Sequence, residues 1–306
     1  MKSSLAGDAP APAAPPGRPA EIEGATNRYL VHPVSRALVD RLIATAMTPN
    51  QVSVASVFAA AAGAACYAWL RWPWGPVAGL ACFFAWHVLD GADGDLARRT
   101  GRASTYGELV DGICDHVSQA LLYLAVAAVL ARSLGPSAWA IAVVAALCHF
   151  VQANAYETGR KTYRHWVHGA TWMRQNPDGV GQAGAAGSVL AGAYLWVSNL
   201  FNPGEAAIEA AMGPALAGGA ASAGAARGLY ARLYAPLVRA SAVLGANTRT
   251  LAAFACLLAG APLWFFLFEI VILNLALIGL TAWRRRRDRA LLAALAVSDQ
   301  AALAPN

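Results

Sequence analysis

Charge is scarce in this chain. Only 13% of its 306 residues are Asp, Glu, Lys or Arg, and 58% are hydrophobic. A soluble domain carries about a quarter charged residues, so water is not the main solvent of this protein. Cysteine is sparse and unpatterned. The five cysteines (Cys66, Cys82, Cys114, Cys148 and Cys256) lie in apolar runs with no CxxC pair, which argues against a zinc site or a disulfide framework and leaves packing as their role. Residues 1–26 lack the long apolar core of a signal peptide; rich in Pro and Ala, they read as a disordered cytoplasmic tail. The net charge of +6 and pI of about 9.3 do not indicate nucleic acid, because the basic residues cluster at the ends of apolar runs, where they set membrane orientation and meet anionic lipid.

Several apolar runs reach the roughly 20 residues needed to cross a hydrocarbon core about 30 Å thick. The expected fold is therefore all-α and integral to the membrane, with about six transmembrane helices preceded by an amphipathic surface helix. That first helix is read over Asn27–Met47, with Leu30, Val34, Leu38, Leu42 and Ile43 near one face. Pro49 then opens the first span. Spans are expected at about 51–70, 77–98, 105–131 and 137–156, the third capped by Thr105 and Glu108 at capping-box spacing. The apolar run 251–282 is broken at Gly260-Ala261-Pro262 and reads as two shorter spans with a tight reversal. Residues 27–290 form one membrane domain, with 159–248 as a cytoplasmic-side insertion carrying peripheral helices, one of them amphipathic near 229–244. Residues 291–306 are a C-terminal tail. With six spans, the basic stretches at 28–41, 98–102, 160–164 and 284–289 fall on one side, leaving Arg71 and Arg132 on the other. Both termini are then expected in the cytoplasm of a multi-pass protein of a bacterial inner membrane.

The chemistry is concentrated between Asp90 and Asp115. Asp90 and Asp93 are three residues apart and Asp111 and Asp115 four apart, so on helices each pair shares a face. A short loop joins the two helices, which brings both pairs together near one end. An ionisable side chain at mid-membrane costs about 2.5–3.5 kcal/mol on insertion scales. Four aspartates packed together cannot all stay ionised unless cations neutralise them, and hard oxygen ligands at this density suit Mg²⁺, Mn²⁺ or Ca²⁺ and not zinc. Gly91, Gly94, Gly107 and Gly112 remove side chains where a ligand or helix must approach. Arg98 offers a planar donor fork to phosphate.

The run D-x2-D-G-x2-A-R-x8-G-x3-D-x3-D resembles the signature of the CDP-alcohol phosphotransferase family. All eight of its fixed positions are present: Asp90, Asp93, Gly94, Ala97, Arg98, Gly107, Asp111 and Asp115. The resemblance extends to Thr48-Pro49-Asn50 and to the six-helix layout with a preceding surface helix. It implies a pair of Mg²⁺ or Mn²⁺ ions held by Asp90, Asp93, Asp111 and Asp115, with Asp115 also the general base. It implies a CDP subsite of Asn50, Asp90, Gly94, Ala97, Arg98 and Gly107. The implied donor is a CDP-alcohol, CDP-diacylglycerol before others, and the acceptor a small alcohol such as inositol, an inositol or glycerol phosphate, or serine. A homodimer in a lipid bilayer, acting in phospholipid synthesis with its site facing the cytoplasm, completes the expectation.

Alternatives stay open on the residues alone. The same motif serves a CDP-linked polar headgroup donated to a lipid alcohol. An aspartate cluster also suits a non-catalytic divalent-cation transporter, although the later spans offer only Glu269 as a further acid. Arg160, Lys161 and Arg164 read equally as holders of an anionic acceptor or headgroup and as positive-inside anchors. Asp95 reads as a solvated acid and Glu108 as a cap. His87, His116 and His149 read as residues that pack or hydrogen-bond to a neighbouring span, Asn154 and Tyr156 as packing residues before cavity-lining ones, and most Trp and Tyr residues as an interfacial belt.

Overall fold

The computed structural model describes residues 19–170 and 204–303, with three single positions between them at 189, 192 and 196. Most of the Gly/Ala-rich stretch from 181 to 203 lies outside the described residues. Among those described, every regular element is helical.

A π-helical turn, Asn27–Val31, leads into α1 (His32–Leu42). The helix α2 (Pro49–Trp69) starts as its sequence predicts. Thr48 Oγ1 accepts from the Gln51 amide, Gln51 Oε1 accepts from the Thr48 amide, and Pro49 takes the first helical position. Next come α3 (Trp74–Arg99), α4 (Thr105–Leu134) and α5 (Ser137–His168). The cap of α4 differs from expectation: Ser104 Oγ accepts from the Gly107 amide at 3.0 Å. With Ser104 as the cap, Glu108 lies one residue past the capping-box position, and it pairs instead with Lys161 of α5, 2.5 Å from its carboxylate. Beyond the undescribed stretch lie α6 (Glu205–Ala217) and α7 (Ala220–Ala240). A 3-10 turn at Ser241–Leu244 leads to α8 (Ala246–Leu258). The chain reverses at Gly260, whose φ of +68° is open to glycine, and Pro262 opens α9 (Pro262–Leu267). A π-helical turn, Phe268–Ile272, joins α9 to α10 (Leu273–Leu303).

Among the described residues, five helical runs are long and apolar enough to cross a membrane: Pro49–Trp69, Tyr106–Leu134, Ser137–His168, Ala220–Leu258 and Pro262–Val297. The protein is therefore an all-α multi-pass membrane protein. Helix α3 is less apolar because Asp90, Asp93, Asp95, Arg98 and Arg99 occupy its last turns. Its 26 residues still extend for about 39 Å at 1.5 Å per residue, and it packs along α2. The run 220–258 is not one rod, since the extended backbone of Gly245 (φ −82°, ψ 164°) separates α7 from α8.

The main core gathers Phe83 and Trp86 of α3, Leu122 and Val126 of α4, and Phe265 and Phe266 of α9. Small residues let α2 and α3 approach closely. A Cβ built on Gly79 would lie 2.2 Å from the ring of Tyr67, which itself stacks on Phe83 at 5.4 Å. Gly79→Ala should therefore destabilise the bundle by about 1–3 kcal/mol through overpacking, read as a lower midpoint of thermal unfolding in detergent. An unchanged midpoint would mean that Tyr67 moves freely.

A second core lies where α5 and α10 run on past the bundle. Tyr163 and Trp166 of α5, Ile208 and Met212 of α6, Tyr230 of α7 and Leu291 of α10 are among its buried residues. Two expectations are corrected here. Residues 291–303 are not a tail, because Leu291 and Leu295 are buried in this core and the helix continues through them. Residues 19–26, assigned above to a disordered tail, are also packed: Ile22 is buried in the same core, and Glu21 is held by His168, Tyr163 and, through its carbonyl, Arg239. Burial raises the Glu21 carboxyl, but its own backbone amide and His168 outweigh that and hold it below the usual carboxylate range.

Helix α1 is shorter than expected, ending at Leu42. Val31, His32, Ser35 and Val39 are buried toward α3, with Ser35 Oγ donating to the Val88 carbonyl at 2.8 Å. Leu30, Val34 and Ile43 remain exposed, an outward apolar strip suited to lipid. The aromatic belt is partial. Trp69, Trp72 and Trp74 are exposed around the α2–α3 turn, whereas Trp86 and Trp166 are core residues.

Candidate active site

The last turns of α3 and the first turns of α4 bring the aspartates together. One carboxylate oxygen from each of Asp90, Asp93 and Asp111 lies within 4.8 Å of the other two. Asp93 is the most buried, and its carboxylate is fixed from two sides. Ser53 Oγ of α2 donates to Oδ2 at 2.5 Å, and the Gly94 amide donates to Oδ1. Asp115, one turn along α4 from Asp111, lines the same cavity as Asp90 and stands outside that triad. Three carboxylates converging from two helices make a hard, oxygen-only donor set, which fits a divalent cation of the Mg²⁺ or Mn²⁺ type and offers nothing to a thiophilic metal. Their mutual repulsion is what such a cation would relieve.

On one flank of the cluster, Gly107 faces Asn50 of α2. A Cβ at Gly107 would come within 3.2 Å of Ser104 Oγ and 3.6 Å of Asn50 Oδ1, so the residue leaves a gap between the starts of α2 and α4. Gly94, Ala97 and Arg98 follow Asp93 along α3. Arg98 donates to Asp95 at 2.9 Å, so Asp95 is a partner on the same helix face and not the solvated acid expected from the sequence.

On the other flank is a cavity of about 360 Å³, walled by the segment 19–32, α3, α4, α5, the 3-10 turn and the start of α8. Of the aspartates, Asp90 and Asp115 reach its lining, and Arg160 and Arg164 join them; Lys161, paired with Glu108, does not. Arg160 is bound to Glu157 at 2.6 Å.

Sequence reasoning missed much of this flank. Gln119, His149 and Asn154 line the cavity, each at least nine-tenths buried. Gln119 Oε1, His149 Nδ1 and Asn154 Nδ2 have no hydrogen-bond partner, an arrangement that costs about 1–3 kcal/mol per group when left unmet. Also missed was Arg249 of α8, fully buried and paired with Glu269 at 3.2 Å. An arginine and a glutamate at the two sides of an apolar reversal were the available signal. His87, by contrast, is the packing residue the sequence suggested, bonded to Thr250 Oγ1 at 2.9 Å.

Comparison with known proteins agrees with the geometry. A search of curated proteins finds no match to the chain. The family model described as CDP-alcohol phosphatidyltransferase matches residues 46–217, a stretch holding α2 to α6 and every motif aspartate. That match covers more than half of the chain, and the protein therefore belongs to the CDP-alcohol phosphatidyltransferase family, enzymes that transfer a phospho-alcohol from a CDP-alcohol to an acceptor.

Proposed function

We propose that this enzyme transfers the phosphatidyl group of a CDP-diacylglycerol-type donor to the hydroxyl of a small polar alcohol, releasing CMP, in phospholipid synthesis. The observation that carries the reading is the convergence of Asp90, Asp93 and Asp111 within 4.8 Å, with Asp115 beside them at the wall of a polar cavity. The roles follow from the two flanks. Asn50, Gly94, Ala97 and Gly107 leave room for the cytidine and its phosphates, with Asp90 beside them, and Arg98, steadied by Asp95, presents its remaining N–H donors to phosphate. Asp90, Asp93, Asp111 and Asp115 hold the metal, for which we propose two Mg²⁺ or Mn²⁺ ions. When bound, such ions supply charge neutralisation for the donor pyrophosphate and the departing CMP.

Asp115 is the base. Its carboxylate takes the proton from the acceptor hydroxyl as the oxygen bonds to the phosphorus that carries the lipid, and the bond from that phosphorus to the CMP oxygen breaks. Arg160 and Arg164 stand on the cavity wall, where they help seat the acceptor, whereas Lys161 braces α5 against α4. The positive-inside distribution of Arg and Lys supports a site and termini on the cytoplasmic side of an inner membrane. A homodimer belongs to the same proposal.

The test is CMP release by detergent-purified protein given CDP-diacylglycerol, Mg²⁺ or Mn²⁺ and a panel of alcohols. Release with one acceptor, abolished by a chelator and restored by added metal, is the expected result. Release only from CDP-linked headgroups with diacylglycerol would reverse the assignment of donor and acceptor. Tight metal binding without release from either donor class would point to cation transport.

A further inference from the structure

Asp115 stands between two unlike surroundings. Asn50, Gly94, Ala97, Arg98 and Gly107, the residues assigned above to the CDP side, are absent from the cavity lining, as are Asp93 and Asp111. Of the residues assigned to the CDP side, only Asp90 reaches the cavity lining, where Asp115 joins it. Its inner wall carries three buried polar atoms without partners, Gln119 Oε1, His149 Nδ1 and Asn154 Nδ2, from α4 and α5. Buried polar groups in a folded protein are normally satisfied, and an exception calls for a missing partner.

The kind of atom identifies that partner. Asn154 is oriented by Thr158, whose hydroxyl donates to its Oδ1 at 3.4 Å, so the unpartnered Nδ2 is a donor. Gln119 Oε1 is an acceptor, and His149 Nδ1 serves as either, according to its tautomer. A phosphate needs donors only, and an acyl chain needs neither. A hydroxyl both donates and accepts, so the several hydroxyls of one polyol match all three atoms whichever tautomer His149 adopts, while one hydroxyl is left for Asp115. The volume of about 360 Å³ falls within the range of small-molecule sites.

We infer that Gln119, His149 and Asn154 form a subsite for the non-reacting hydroxyls of a polyol acceptor, so that one hydroxyl of the polyol is presented to Asp115. The inference rests on the phosphotransfer reading above and narrows its acceptor to a compound with several hydroxyls, free or carrying a phosphate. Arg160 and Arg164 distinguish those two sources, because only a phosphorylated polyol draws on their charge.

The experiment compares myo-inositol, glycerol, their monophosphates, serine, ethanolamine and diacylglycerol as acceptors by CMP release, in wild type and in Gln119→Leu, His149→Phe and Asn154→Leu. A polyol or polyol phosphate should be preferred. Each variant should raise its KM about tenfold, the equivalent of one ordinary hydrogen bond, while the KM for the CDP-linked donor holds. Should Asn154→Leu fail to fold, Asn154→Asp keeps the shape, replaces the donor by an acceptor and should raise the same KM. Preference for serine, ethanolamine or diacylglycerol overturns the subsite and leaves the phosphotransferase reading intact. So does a polyol KM that none of the variants changes, or one that rises only in step with the donor KM. Absence of CMP release from every donor and acceptor pair removes the phosphotransferase reading and the subsite together.

Discussion

Asp115→Asn should lower CMP release by about 10²- to 10⁴-fold, the usual contribution of a general base, in a protein that still folds and still binds divalent metal. The substitution keeps the shape of the side chain and removes its capacity to take a proton. The triad of Asp90, Asp93 and Asp111 does not include Asp115, so most of the metal donor set survives. Asp93→Asn should behave differently. Asp93 is buried and fixed by Ser53 and by the Gly94 amide, so its loss should weaken metal binding itself. The two variants are separated by titrating Mg²⁺ against CMP release. Activity of Asp93→Asn should recover in part at high Mg²⁺, whereas that of Asp115→Asn should not. Recovery of Asp115→Asn at high Mg²⁺ would make Asp115 chiefly a ligand and move the base elsewhere.

The aspartate cluster and the order of the bundle were legible in the sequence because both follow from local periodicity. Carboxylates at i and i+3, or i and i+4, share a helix face whatever the rest of the chain does. A short loop between two spans then leaves little choice about which faces meet. The start of α2 was equally readable, since Pro49 suits the first turn of a helix whatever lies beyond it. What stayed hidden depends on distant partners. Glu108 has the spacing of a cap, yet Lys161, 53 residues away, takes its carboxylate. Ile22 and Leu291 lie in segments whose composition suggests solvated tails, and each is buried only because the extensions of α5 and α10 build a core beyond the bundle. His149 and Asn154 resembled packing residues because a polar residue in a span is ordinarily satisfied by a neighbour. Only the three-dimensional arrangement reveals that theirs is missing. For α1, hydrophobicity marked the strip of Leu30, Val34 and Ile43 that stays exposed, whereas the contact of Ser35 with α3 depends on a partner 53 residues away.

Arg249→Met should cost about 3–5 kcal/mol of stability, the loss typical of a buried ion pair deprived of one member. Arg249 and Glu269 are both fully buried. The guanidinium also donates to Gln152 Oε1 at 2.6 Å and to the Leu244 carbonyl. Gln152 in turn donates to the Glu269 carbonyl at 3.0 Å and to Asn274 Oδ1 at 2.8 Å. One arginine thereby ties α5, α8, the π-helical turn and α10 together. Removing it leaves the Glu269 carboxylate without its counter-charge, and Glu269→Leu leaves the guanidinium in the same position. The double variant, Arg249→Met with Glu269→Leu, should be less destabilised than the sum of the single variants, because neither charge is then stranded. Unfolding midpoints of the four proteins in one detergent measure the coupling. Strict additivity would show that the pair contributes no mutual energy and that Gln152 and Leu244 alone hold Arg249. Arg249 also lines the cavity, so the double variant should keep its fold better than its acceptor KM. Stability would then be recovered by apolar packing while the polar wall beside Asp115 stays incomplete.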